Sequence, residues 1–518
     1  MSWEKEVEEI KRREELAAKM GGDDRVDFHH KAGKLSVRER IEQLLDANSF
    51  HETGGLAGKA TYEGEELVDF TPSNFVMGRG SIDGRPVIVG GDDFTVRGGA
   101  NDGAVGDKMG YSEMMARELK LPIVRLVDGT GGGGSVKTLD DTGRTYVPAN
   151  PAWDLHVEVM SQVPVVGAAL GSVAGLGAAR VVATHFSLMV KDTSQVFVAG
   201  PPVVERGMGQ KIDKQALGGS FIHAHGNGVV DNEVESEEEA FDQIRRFLSY
   251  LPSNVWKTPP RGPQDDNRLR REEELISSIP RDRRRPYDVR RILELVLDKD
   301  SIFEMGRFQG PSLVTAFARL DGWPVGVLAN DSHHWGGGLD DRASEKMARF
   351  VDLCDTFHVP VVNFVDQPGF VIGLASEKAG TIRRGVRALF AVQQASVPWV
   401  SIILRRVFGV AGAGHGKPQG LNLRYAWPSG DWGSLPIEGG VQAAYRRDIE
   451  ASEDPAKRRA ELEEHFNELR SPFRTAEAFG VEEIIDPRET RRVLCEWADL
   501  AYDVIPTVLG EKGRGIRP

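Results

Sequence analysis

The chain has 518 residues, 40% of them hydrophobic and 28% charged, and a formal net charge of −13. This composition suits a globular protein too long for one core, and its acidity argues against a large nucleic-acid surface. Its two cysteines, Cys354 and Cys495, lie far apart in no Cys-X-X-Cys, which points to a reducing compartment and away from structural zinc.

The opening MSWEKEVEEIKRREELAAKM is charged and helical in pattern, unlike a signal peptide. With KLSVRERIEQLLD after it, residues 1–50 read as helical arms. Residues 51–250 alternate short β-branched runs with Gly-rich turns and helices, as repeated ββα or βα units do. Residues 163–183 are apolar enough to imitate a membrane span, but Pro164, Arg180 and the glycines between them favour a buried strand, turn and helix. Residues 252–288 hold six prolines and dense charge and read as an interdomain linker. The expected division is a first domain at 1–262, a linker at 263–287 and a second domain at 288–518. Within the second domain, residues 450–473 read as a polar helical surface arm.

The second half repeats the first. IDGRPVIVGGDDFTVRGG (82–99) returns as LDGWPVGVLANDSHHWGGG (320–338), and LPIVRLVDGTGGGG (121–134) as VPVVNFVDQPGFVIG (359–373), both offset by 238. VPVVGAALGSVAGLGAA (163–179) returns as VPWVSIILRRVFGVAGA (397–413), offset by 234. Two copies of one α/β domain follow from this.

In GSVAGLGAARVVATHF (171–186) a glycine turn joins a strand to a helix. Such a turn exposes backbone N–H groups at the positive end of the helix dipole, which suits an oxyanion hole. The same glycines also suit tight strand–helix packing. RRVFGVAGAGHGK (405–417) places an equivalent turn in the second copy. Gly129, Gly131 and Gly134 satisfy GxGxxG, but no helix pattern follows them, so a dinucleotide site lacks its context. HGKPQG departs from a P-loop at Ala411 and Pro418. No HExxH and no GxSxG occur. The chain therefore offers two candidate backbone oxyanion holes without a nucleophile, metal site or redox centre. That profile suits enolate chemistry.

These segments resemble the carboxyltransferase (β) subunit of biotin-dependent acyl-CoA carboxylases of the propionyl-CoA carboxylase type. The resemblance extends through GKLSVRERIEQLLDANSF (33–50), ALGGSFIHAHGNGVVDNEVESEEEAFDQIRRFLSYLP (216–252), RPYDVRRILELVLDKDSIFE (285–304) and GLNLRYAWPSG (420–430). It implies an α/β fold of two tandem crotonase-like domains built of ββα spiral units. It also implies an acyl-CoA on the N-terminal domain and carboxybiotin on the C-terminal one, at an interface between subunits. The thioester oxyanion donors would be Gly175 and Leu176. Those for the biotin ureido oxygen would be Val410 and Ala411, framed by Gly409 and Gly412. Gly131, Gly132 and Ala413 would line the substrate pocket.

The biotin anion would take the α-proton, and the thioester enolate would attack CO2, so no side-chain base is required. No Met-Lys-Met acceptor occurs, so biotin would arrive on a biotin carboxylase or biotin carboxyl carrier partner around a homohexameric core. The resemblance implies no bound metal, no membrane and a cytoplasmic enzyme. Arg97, Lys108, Lys137, Lys211 and Lys214 are available to the CoA phosphates. Ala413 replaces the family's usual acidic residue, DGTGGGGS its usual loop, and HGKPQG extends the second turn, which leaves the acyl group open. A decarboxylase running the reverse half-reaction, and a non-catalytic CoA-binding scaffold, are the competing readings.

Overall fold

The structure is a computed structural model that describes residues 2–99, 107–129, 140, 143–145, 147, 152–417, 421 and 423–513. Two compact units emerge, one built on residues 1–257 with the chain from 510 onward, the other on residues 258–509.

The first unit carries a seven-stranded sheet in the order His51–Glu52, Phe75–Ile82, Arg85–Asp92, Ile123–Val127, Val165–Ala169, Phe186–Val190, Asn232–Val234. The first three strands are antiparallel and the rest join in parallel. Ile123–Val127, Val165–Ala169 and Phe186–Val190 are buried along their whole length, as strands covered on both faces must be. The second unit repeats the plan with Phe303–Met305, Leu313–Leu320, Trp323–Asn330, Val361–Gln367, Trp399–Phe408, Leu423–Ala426 and Glu483–Ile484.

The hairpins Asp83–Gly84 and Asp321–Gly322 correspond. All four residues have positive φ (50°, 75°, 49° and 81°), the geometry of a type I′ turn. Each turn is capped by an earlier carboxylate: Asp46 accepts the N–H groups of Asp83 and Gly84, and Asp298 those of Asp321 and Gly322.

The repeat therefore reaches into the arm. Ser36 caps the helix Val37–Leu44 and Asp288 caps Val289–Val296. Arg38 pairs with Glu52 at 2.9 Å, and Arg290 with Glu304 at 2.6 Å. These matches run at an offset of 252 (288 − 36), 14 more than the 238 of the sheet segments. The hairpin Gly58–Glu63 with Glu66–Pro72, present only between the arm and the sheet of the first unit, accounts for the extra residues.

Residues 263–287 belong to the second unit, and the boundary falls at 257/258 rather than 262/263. Leu275 and Tyr287 lie in that unit's core. The Arg270 guanidinium donates to the carbonyls of Leu295 and Leu297. Part of the charge that suggested a linker is thus spent on internal hydrogen bonds.

A lysine recurs as well. Lys108 Nζ donates to the Gly54 carbonyl and Lys346 Nζ to that of Gly306, each at 3.0 Å. Lys346 is partly exposed as a residue, but burial of its ammonium pushes its pKa from 10.5 down to about 7. The unfolded chain then binds the proton more tightly than the folded one, so stability rises as the pH climbs from about 7 toward 10.5. Lys346→Met is expected to flatten that rise in thermal unfolding scans across the interval. An unchanged slope would assign it to other groups.

Candidate active-site turns

In the first unit, Ser172–Ala174 pairs with Gln195–Phe197 and runs into Gly175, whose φ of 57° and ψ of −120° only glycine adopts readily. The helix Leu176–Val182 follows. In the second unit, the far end of Trp399–Phe408 pairs with Asp431–Gly433 and runs into Gly409, with φ 61°. The segment Gly409–Ala413 then turns helical. Gly175 and Gly409 are matched at the repeat offset of 234.

The Gly175 N–H donates to the Phe197 carbonyl at 3.2 Å. It extends the strand pair, so this amide already has a main-chain partner. The donors that open the helix are the N–H groups of Leu176 and Gly177, which have no carbonyl four residues back within the helix. At the offset of 234 these match Val410 and Ala411, so the shift of one residue brings both turns into register. Gly175 is exposed, Leu176 half-buried and Gly177 buried, while Val410 is 60% exposed and Ala411 buried. Each turn thus places its first donor on an exposed or half-buried residue and the second on a buried one, with apolar or absent side chains.

Gly412 is buried within the second turn, and Ala413 is exposed just after it. The extension beyond them folds back. His415 Nδ1–H donates to the Gly412 carbonyl at 2.6 Å, and the His415 carbonyl accepts from Asn363 Nδ2, Trp399 Nε1 and Ser401 Oγ. Lys417 Nζ reaches the Val397 carbonyl at 2.9 Å. HGK therefore serves as a strap under the turn.

A buried aspartate precedes the loop beside each turn. Asp128 accepts Lys34 Nζ at 2.7 Å and Arg40 Nη1 at 2.9 Å, with His29 Nε2 at 3.4 Å. Burial pushes this carboxyl up, but Arg40 and the His29 and Lys34 contacts outweigh it and hold it well below the usual range. Asp366, at the offset of 238, is likewise driven up by burial and brought down further by Arg406 and Arg405. Sequence reasoning missed both, although the Val-Asp in VDGT and VDQP was the available signal. The loops also touch backbone to backbone: a Cβ on Gly99 would lie 2.4 Å from the Asp128 carbonyl oxygen, and one on Gly337 2.6 Å from that of Asp366.

Gly131, Gly132 and Lys137 lie outside the described residues. Lys108 is committed to Gly54, whereas Arg97, Lys211 and Lys214 are exposed. Among the described residues no group of three or more His, Cys, Asp or Glu side chains could hold a metal ion, and no helix is long and apolar enough to cross a membrane.

A family model described as the carboxyl transferase domain matches residues 28–505. The carboxyltransferase subunit of propionyl-CoA carboxylase from Haloferax mediterranei is 35% identical, covering 95% of each chain. Methylmalonyl-CoA decarboxylase subunit alpha from Veillonella parvula is 32% identical, covering 91% of each. Among solved structures, a transcarboxylase 12S hexamer with methylmalonyl-coenzyme A and methylmalonic acid bound superposes with a TM-score of 0.87 at 29% identity. It covers 100% of this chain and 98% of that one.

Proposed function

The chain belongs to the carboxyl transferase domain family and is a carboxyltransferase with two tandem crotonase-like domains; on that premise we propose that it exchanges a carboxyl group between partner-borne biotin and the α-carbon of an acyl-CoA. The observation that carries the reading is the pair of register-matched turns, each with two main-chain donors behind a positive-φ glycine.

The donor set fits its two ligands. A thioester oxygen and a ureido oxygen are both acceptors that become anions, and aligned N–H groups stabilise that developing charge. Leu176 and Gly177 hold the thioester enolate oxygen. Val410 and Ala411 hold the ureido oxygen. When bound, carboxybiotin supplies both the CO2 and the base that takes the α-proton, so this chain need only position and stabilise. The same donors serve carboxylation and decarboxylation, in keeping with relatives named for each direction. A homohexamer engaging a biotin carboxylase or biotin carboxyl carrier subunit completes the proposed assembly, and Gly131, Gly132 and Ala413 are the proposed acyl-pocket residues.

The test uses the purified chain in both directions: malonyl-type CoA thioesters with free biotin as the carboxyl acceptor, and simple acyl-CoA thioesters with carboxybiotin as the carboxyl donor. Transfer to or from at least one thioester is expected. No transfer in either direction, including with a biotinylated partner protein, would overturn the reading. In the same panel Ala413→Asp is expected to shift kcat/KM toward short acyl chains by several-fold. An unchanged long-to-short ratio would remove Ala413 from the pocket.

A further inference from the structure

Asp366 is buried near the end of Val361–Gln367, and its oxygens are crowded with donors. Oδ1 accepts the Arg406 backbone N–H at 3.0 Å and its Nε at 2.7 Å. Oδ2 accepts Arg406 Nη2 at 2.9 Å, Arg405 Nη2 at 2.9 Å and Arg405 Nε at 3.2 Å. The Asp366 N–H in turn donates to Asn330 Oδ1 at 3.0 Å. Arg406 Nη2 also reaches the Gly336 carbonyl at 2.5 Å, and Arg405 Nη1 the Arg285 carbonyl at 2.9 Å. One carboxylate thus joins the strand before the 367–373 loop, the 335–337 loop, and the strand that reaches Gly409 three residues after Arg406.

The charge balance differs between copies. Two guanidiniums share Asp366, and Asp431, opposite Arg406 on the paired strand, is already bound by Arg283 and Arg470, which leaves an excess positive charge; Arg406 retains 18% side-chain exposure. In the first unit the position matching Arg406 is Ser172 (406 − 234), and the cations come from the arm. There Arg40 and Lys34 are balanced by Asp128 and Glu237. The duplicated aspartate is common to both copies, whereas among the described residues the excess of cations around it marks the second.

We propose that Asp366 and Arg406 are positioning residues for the second turn: Asp366 locks Arg406, and the locked pair fixes the Gly409–Ala411 backbone with a positive charge beside it for the ureido oxyanion. The assignment to biotin rests on the reading of Val410 and Ala411 given above, whereas the clamp itself does not.

Two measurements separate these. Hydrogen–deuterium exchange on the ligand-free protein compares peptides covering 405–415 and 172–182 in wild type, Arg406→Met, Arg406→Lys and Asp366→Asn. Arg406→Met and Asp366→Asn are expected to speed exchange in 405–415 at least 10-fold and to leave 172–182 unchanged, with Arg406→Lys intermediate. Unchanged exchange in 405–415, or equal acceleration in both peptides, overturns the clamp. Should Asp366→Asn fail to fold, the partly exposed Arg406 variants decide the matter.

The second measurement is carboxyl transfer between a malonyl-type CoA and free biotin, with thioester Kd from calorimetry. Arg406→Met is expected to lower kcat at least 10-fold with the thioester Kd unchanged within two-fold, and Arg406→Lys to recover most of the loss. A lowered thioester affinity with kcat unchanged overturns the assignment to the biotin side. Absence of transfer by the wild type would instead count against the function, leaving the exchange result to judge the clamp.

Discussion

Leu176→Pro is expected to lower carboxyl transfer by about 10²- to 10³-fold while leaving the fold intact, because it deletes one N–H donor and little else. Leu176 is the first residue of its helix, where proline is well tolerated: the missing N–H has no intrahelical partner and the required φ is already helical. The preceding residue is Gly175, which has no Cβ to collide with the proline ring. Val410→Pro is the matched experiment in the second unit. The controls are Leu176→Ala and Val410→Ala, which keep the N–H and are expected to retain activity within a few-fold. Steady-state kinetics beside thermal unfolding reads both quantities. A proline variant that unfolds at the wild-type temperature and keeps its kcat would remove that amide from the chemistry.

The same logic bears on Gly175, the first of the two donors expected in that turn. Alignment on glycine places the donors at Gly175 and Leu176 in one copy and at Val410 and Ala411 in the other, one residue out of step. Only the bond from the Gly175 N–H to Phe197 shows which amide is already taken. Paired strands, a topology repeated across two units and the strand–turn–helix at 163–183 were legible because apolar runs and glycine turns carry them. The repeated arm was not. Its shared residues are caps and ion pairs, Ser36 with Asp288 and Asp46 with Asp298, and the hairpin Gly58–Pro72 shifts their offset away from that of the sheets. The prolines and charge of 263–287 read as a linker because sequence does not reveal that Arg270 turns inward. Likewise Asp128 stands in plain view before its glycines, but its partner Arg40 lies 88 residues earlier.

That distant partner carries the largest expected effect on stability. Arg40 is 1% exposed; its Nε and Nη2 each meet Glu237 at 2.7 Å, its Nη1 meets Asp128 at 2.9 Å, and Nη2 also holds the Leu170 carbonyl at 3.0 Å. Arg40→Met removes the cation and leaves two buried carboxylates with Lys34 as their remaining strong cationic partner. Losing one member of a buried ion pair costs about 3–5 kcal/mol, a large part of the ~5–15 kcal/mol that holds a domain folded. The deficit depends on pH with a definite sign. In the wild type Asp128 titrates below its unfolded value, so its contribution is complete above an unfolded pKa of about 3.9 and is lost only in stronger acid. In Arg40→Met the Asp128 carboxyl loses the cation that holds it down and titrates higher, so acid relieves the repulsion and the gap to wild type narrows between pH 7 and about pH 4. Adding Glu237→Gln is expected to recover part of the loss at pH 7, since one of the stranded charges is then gone. Urea unfolding of the four proteins of that cycle at pH 7 and pH 5 measures both effects. A loss under about 1 kcal/mol, or one that is equal at the two pH values and untouched by Glu237→Gln, would mean that water or a neighbouring cation already serves these carboxylates. If the loss follows the predicted course, the Leu170 carbonyl, and with it the approach to the Gly175 turn, is held in place by the same guanidinium that makes the buried acids tolerable.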